Sequence, residues 1–112
     1  MEKKTDSIAN VDFLKEQVAE FCRVRNWAPY HNPKELAIGL VTEASELLEI
    51  FRFVPERELA ALMESSEGRA RVADELADSL YFILRFAEMH DFDLTTCLTE
   101  KLAKNARKYP AP

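Results

Sequence analysis

Apolar residues recur at intervals of three and four through two long stretches of this chain, and nowhere do they hold the two-residue rhythm of a strand. Leu36, Leu40, Leu47 and Ile50 form the first stripe; Val72, Leu76, Leu80, Ile83 and Ala87 form the second. A 3.6-residue period sustained over such lengths dictates amphipathic helices and leaves no segment to build a sheet. With only two glycines and five prolines, 47% hydrophobic and 31% charged residues, the chain has the composition of long regular elements, neither loop-rich nor disordered. Its 112 residues amount to one domain, which buries somewhat over ~60% of the surface its unfolded chain exposes.

Local signals set the helix boundaries. A first helix runs from about Asp12 to Val24, carrying Phe13, Leu14, Val18, Phe21 and Cys22, and ends near Asn26. WAPYHNP, residues 27 to 33, is a connector held by Pro29 and Pro33. Asn32 is a good N-cap, Pro33 suits a first helical turn, and Glu35 stands where a capping box needs it. A second helix therefore runs from Pro33 to Phe51 or Arg52. Residues 55 to 68 hold a short helix and a Ser-rich break, and a long helix follows from near Gly68 to His90. DFD, residues 91 to 93, interrupts it, and Asp93 caps a last helix from Leu94 to about Lys108. The expected fold is all-α: an antiparallel bundle of four main helices plus a short one, a single domain over residues 1 to 112 with residues 1 to 10 as a flexible tail.

A net charge of −5 argues against a nucleic-acid polymer or an anionic membrane as partner, because both attract strongly basic surfaces. No apolar run approaches the ~20 residues that span a bilayer. Cys22 and Cys97 sit in helical patterns beside apolar neighbours with no secretory h-region, so both are expected as reduced, buried thiols in a cytoplasmic protein.

Against this background the acids in VTEASELLEI, residues 41 to 50, stand out. At 100° per residue Glu43 projects between Ile50 and Leu36, and Glu46 falls at the edge of that stripe, while Glu49 lands with Thr42 and Ser45 on the wet side. The long helix repeats the device: Glu75 lies between Phe82 and Phe86, Asp78 at the stripe's edge, Asp74 and Glu88 on the polar side. Neither residues 35 to 51 nor residues 72 to 84 contain a Lys or Arg. Buried carboxylates without a cation repel, so four of them converging between two helices call for a metal ion. Oxygen-only ligation selects Mg²⁺, Mn²⁺ or Ca²⁺ over zinc, and the absence of His three residues after either Glu demotes a di-iron site. A single ExxE usually marks a solvated face; two pairs drawn into apolar stripes do not.

Glu43, Glu46, Glu75 and Asp78 spell ExxE, 28 intervening residues, then ExxD. This resembles the signature of the MazG-like all-α nucleoside triphosphate pyrophosphohydrolases. RNW at 25 to 27 followed by YHNP, AIGLVTEASELLEIF, ADELADSLYFIL and KLAKNARKYP extend the likeness over roughly residues 12 to 110 and look like the dCTP pyrophosphatase branch. The resemblance implies that the four acids are catalytic and hold Mg²⁺, with Mn²⁺ as a substitute. It implies too that Lys101, Asn105 and Tyr109 meet the phosphates, and that Trp27 and His31 belong to the substrate site. Phe53 stands where that branch carries a second tryptophan and Val18 where it carries a histidine near the base, so the resemblance does not fix the base or a cytosine preference, and dCTP or a modified pyrimidine is one expectation.

Independently, Lys101, Asn105 and Tyr109 recur at i, i+4 and i+8 and line one side of the last helix. Trp27 beside Tyr30 and His31 in a two-proline connector suits a base-stacking wall. The expected activity is Mg²⁺-dependent cleavage of (d)NTP to (d)NMP and pyrophosphate, serving the housecleaning of nucleotide pools. The apolar surface left on so small a bundle, with the family resemblance, implies a homodimer or homotetramer. Two alternatives are a non-catalytic helical interaction module whose acids bind a basic partner or a structural cation, and a phosphohydrolase for another polyphosphate such as phosphoribosyl-ATP.

Overall fold

A computed structural model describes residues 3 to 112. The chain forms α1 (Val11–Arg23), a 3₁₀ turn over Ala28–Tyr30, α2 (Pro33–Phe51), α3 (Glu56–Glu64), α4 (Ser66–Met89) and α5 (Leu94–Lys108), with no strand among the described residues. Side-chain caps explain the starts of α1, α2, α4 and α5, where Asn10, Asn32, Ser65 and Asp93 each accept a backbone N–H. Asn32 accepts from the Glu35 N–H at 2.8 Å, and Asp93 accepts from the Thr96 N–H at 3.0 Å, as expected. Ser65 accepts from the Gly68 N–H, which begins α4 two residues before the expected Gly68. At the ends of α1 and α4 the chain turns through Asn26 and Asp91, both with φ in the left-handed region that short polar side chains tolerate. Of the ten residues expected as a tail, 1 and 2 lie outside the described residues; Thr5 to Ile8 form a hydrogen-bonded turn, and the Lys4 ammonium lies over the Phe13 ring.

Helix α4 is the centre of the molecule. α2 packs along it most extensively, and α1 and α3 also pack against it. Leu36 and Ile50 of α2, Val72, Leu84 and Ala87 of α4, and Cys22 of α1 are buried. α2 meets α4 tightly at Gly39, where a Cβ would collide with the Phe82 ring. That contact sets an antiparallel register. Four residues forward on α2 and four back on α4 carry it to Glu43 and Asp78, and seven carry it to Glu46 and Glu75.

The expected α4 stripe is only partly covered, because Val72 and Ala87 are buried but Leu76, Leu80 and Ile83 are exposed. Helix α5 packs extensively against no other helix, and its Leu98 and Leu102 face solvent. The radius of gyration, 16.8 Å, accordingly exceeds the about 13 Å of a compact chain this long. Cys97 shares this exposure. It is a free thiol but not a buried one, which corrects the sequence expectation; Cys22 is free and buried. No described helix is long and apolar enough to cross a membrane.

Candidate active site

The register that begins at Gly39 brings the acidic pairs of α2 and α4 together. Glu43, Glu75 and Asp78 each place one carboxylate oxygen so that all three lie within 4.8 Å of one another. The Glu46 carboxylate adjoins both Glu43 and Glu75. Glu49 lies apart, exposed and bonded to Arg52 at 3.1 Å, as its position on the helix predicts.

Glu43 and Glu75 are not electrostatically content. Burial, then the neighbouring Glu46, then Asp78 push the Glu43 carboxyl up to about 7. Burial and Glu46 push Glu75 up as well. Every charged group acting on these two is another carboxylate. Glu43 Oε2 and Glu75 Oε2 are buried with no hydrogen-bond partner, as is Ser79 Oγ one turn beyond Glu75. Native interiors rarely orphan such atoms, so carboxylate oxygens in this state mark a place that fits a hard, oxygen-seeking divalent cation.

From the carboxylates an aromatic strip leads along α4 towards the connector. Tyr81, one turn after Asp78, meets the edge of Phe21 at 6.3 Å between ring centres; Phe21 meets Trp27 at 5.6 Å, and Trp27 meets His31 at 6.1 Å. Trp27 and His31 are both half-buried. Tyr81 is anchored by the Cys22 thiol at 3.1 Å, and burial holds its phenol well above the ordinary tyrosine range. At the far end Arg85, 5% exposed, donates from Nε to His31 Nδ1 at 2.9 Å and pairs through Nη1 with Glu88 at 2.7 Å. Glu88 is therefore half-buried and paired instead of lying free on the polar side. Arg85 escapes a search for motifs, although an Arg inside the apolar run LYFILRFAEM is itself a signal.

The remaining expected site residues are not gathered here within one protomer. Phe53 follows α2 and is 80% exposed, with the Arg52 guanidinium over its ring; none of the aromatic strip reaches it among the described residues. Lys101 and Asn105 are on α5 and Tyr109 is its C-cap, on the helix that packs extensively against no other. Asn105 is half-buried, Lys101 is exposed, and Tyr109 is 69% exposed under Lys108.

Comparison with known proteins gives this arrangement a family. A solved pyrophosphatase from Archaeoglobus fulgidus DSM 4304 superimposes with a TM-score of 0.83 at 30% identity, over 99% of each chain. The chain belongs to the MazG-like all-α NTP pyrophosphohydrolases. Two curated relatives are dCTP pyrophosphatase 1 of Bos taurus, 35% identical over 92 residues, and of Homo sapiens, 34% identical over 93 residues. These alignments cover 82% and 83% of this chain but only 54% and 55% of the relatives, so the chain spans about half the length of the curated proteins it matches. No family model matches the chain. Within this all-α pyrophosphohydrolase fold, the acidic cluster suits the divalent-metal dependence that such pyrophosphatases suggest.

Proposed function

We propose that this protein is a Mg²⁺-dependent nucleoside triphosphate pyrophosphohydrolase that cleaves (d)NTP to (d)NMP and pyrophosphate in the cytoplasm, clearing nucleotide pools. The observation that carries this reading is the convergence of Glu43, Glu75 and Asp78, with Glu46 beside them, around orphaned buried oxygens and with no Lys or Arg among the groups that chiefly act on them. Simple structural acids do not gather this way, because repulsion and desolvation oppose it. These four residues hold Mg²⁺, or Mn²⁺ in its place, and the ion when bound neutralises the triphosphate and polarises its α-phosphoryl group. One carboxylate of the cluster takes the proton of the attacking water.

The other residues bind and orient. Trp27 and His31 receive the nucleoside along the aromatic strip, and Phe53 contributes a stacking face. Lys101 offsets phosphate charge, while Asn105 and Tyr109 orient the phosphates. Since α5 and Phe53 stand away from the cluster within one protomer, a homodimer or homotetramer brings them to the site. The uncovered Leu76, Leu80, Ile83, Leu98 and Leu102 supply apolar surface for that assembly. Likeness to proteins named dCTP pyrophosphatase 1 supports a preference for dCTP or modified pyrimidines.

The test is a panel of dCTP, dUTP, modified pyrimidine triphosphates, purine triphosphates and phosphoribosyl-ATP, each with Mg²⁺, read by pyrophosphate release. Turnover led by dCTP or a modified pyrimidine supports the proposal. Release from phosphoribosyl-ATP alone reassigns the substrate, and silence across the panel leaves a binding module.

A further inference from the structure

We propose that Arg85 is a positioning residue for the nucleotide site: it holds His31 as a neutral donor, protonated on Nε2, at the end of the Tyr81–Phe21–Trp27 strip, where the ring meets a hydrogen-bond acceptor of the nucleoside. The inference deepens the reading above and rests on it. Its starting point is the chemistry of the two side chains. A guanidinium only donates and does not lose its proton, so Arg85 Nε–H at 2.9 Å from His31 Nδ1 requires a lone pair on Nδ1. The single proton of the neutral ring then resides on Nε2, the one polar atom of the ring left for another molecule.

The surroundings act in the same direction. Burial, and after it the Arg85 charge, hold the ring's protonation below the ordinary histidine range, with Glu88 opposing them. The charged groups facing this corner are Arg85 and Glu88 from α4 and, across a groove, Glu16, Glu20 and Arg23 from α1; Ala28 of the connector closes the groove. Glu20 is engaged with Arg23 through two hydrogen bonds, which leaves Glu88 as the counter-charge of Arg85.

Placement ties the corner to the site. Arg85 follows Asp78 by seven residues, two turns, so it lies on nearly the same face of α4 about 10 Å further on. Tyr81 stands between them and begins the strip that ends at His31. Glu88 alone satisfies the charge of Arg85. The second bond, to a residue 54 positions away in the connector, does something different: it fixes the ring's orientation and tautomer before a ligand arrives.

The experiment compares wild type, Arg85→Met, Arg85→Lys, His31→Gln and the Arg85→Met/His31→Gln double variant. Nitrogen-15 NMR of the wild-type imidazole is expected to show a neutral ring with bare Nδ1 that stays neutral as the pH falls below about 6.5. Arg85→Met should let the ring take up a proton at higher pH than in wild type, because the Arg85 charge is gone and Glu88 is freed while burial still opposes protonation. Its KM for the best triphosphate should rise about ten-fold, the worth of one hydrogen bond, with kcat within about two-fold. That KM should climb further at acidic pH, more steeply than in wild type, Arg85→Lys should recover part of it, and the double variant should be no worse than His31→Gln.

A wild-type ring protonated on Nδ1, a normal KM in Arg85→Met, or additive effects in the double variant overturns the inference. If Arg85→Met fails to fold, the wild-type spectrum and the Arg85→Lys and His31→Gln kinetics decide it. Lack of any hydrolysis by wild type removes the nucleotide reading and this role together, whereas normal KM in an active Arg85→Met enzyme removes the role alone.

Discussion

Two stretches of α4, two turns apart on nearly one face, handle buried charge in opposite ways. At Glu75 and Asp78 the helix meets Glu43 and Glu46, and the groups that act on Glu43 and Glu75 are all carboxylates. At Arg85 it buries a guanidinium and satisfies it twice, with Glu88 and with His31. The first stretch spends stability to leave oxygens open, which is what a metal-binding site requires. The second uses its charge to rigidify a connector. A residue's effect on stability and its effect on activity should therefore separate along this helix.

The largest separation is expected for Glu43→Gln and Glu75→Gln. Each should lower Mg²⁺-dependent kcat/KM by at least about 10²-fold, the scale of losing an electrostatic group at a reacting phosphoryl centre. Thermal melting of the metal-free protein should nevertheless rise in both, because a repelling charge is gone. Full activity in either variant would sink the four-carboxylate site. Arg85→Ala should behave the other way in denaturant titrations, losing about 3 kcal/mol of folding stability by leaving a cavity and an unpaired Glu88.

Gly39→Ala probes the contact that sets the register. The added methyl meets the Phe82 ring, and α2 and α4 are expected to move apart at a cost of about 2 kcal/mol, visible in the urea midpoint. A neutral outcome would show that the ring swings aside.

A pH titration sharpens the anionic end further. Glu43 has a folded value raised to about 7 from an ordinary 4.5, so its protonated form favours the fold. Its contribution is fully present below about 4.5 and is lost as pH rises through about 7. Melting temperature in EDTA should fall across that window, and Mg²⁺ or Glu43→Gln should flatten the slope. The smallest effect is expected of Glu49→Gln: this acid is exposed beside Arg52, and kcat/KM should change by less than about two-fold.

The helices were legible in the sequence because what makes them is local. Asn32, Ser65 and Asp93 cap helices whose apolar spacing is visible within a dozen residues, and the observed bounds fall within two residues of the expected ones. The acidic pairs were legible for the same reason: the wheel that buries Leu36 and Ile50 also turns Glu43 inward and Glu49 outward. The exposure of Cys97, Leu98 and Leu102 was not, since a helical stripe records that a face wants cover without saying whether its own chain provides it. Arg85 was missed because its partner His31 lies 54 residues away, and no periodicity links an arginine in α4 to a histidine in a connector.

The sequence by itself determined the helical segments, two acidic pairs set within or at the edge of apolar stripes, and the lack of Lys or Arg in residues 35 to 51 and 72 to 84, all properties of residues within a few turns of one another. Tertiary structure decided the rest. The Gly39–Phe82 contact sets the register that superposes Glu43 on Asp78, packing of α1 on α4 assembles the aromatic strip, and a buried Arg85 reaches across to orient His31. These pairings join distant segments through packing and desolvation, forces that act on surfaces only after the chain has brought them together.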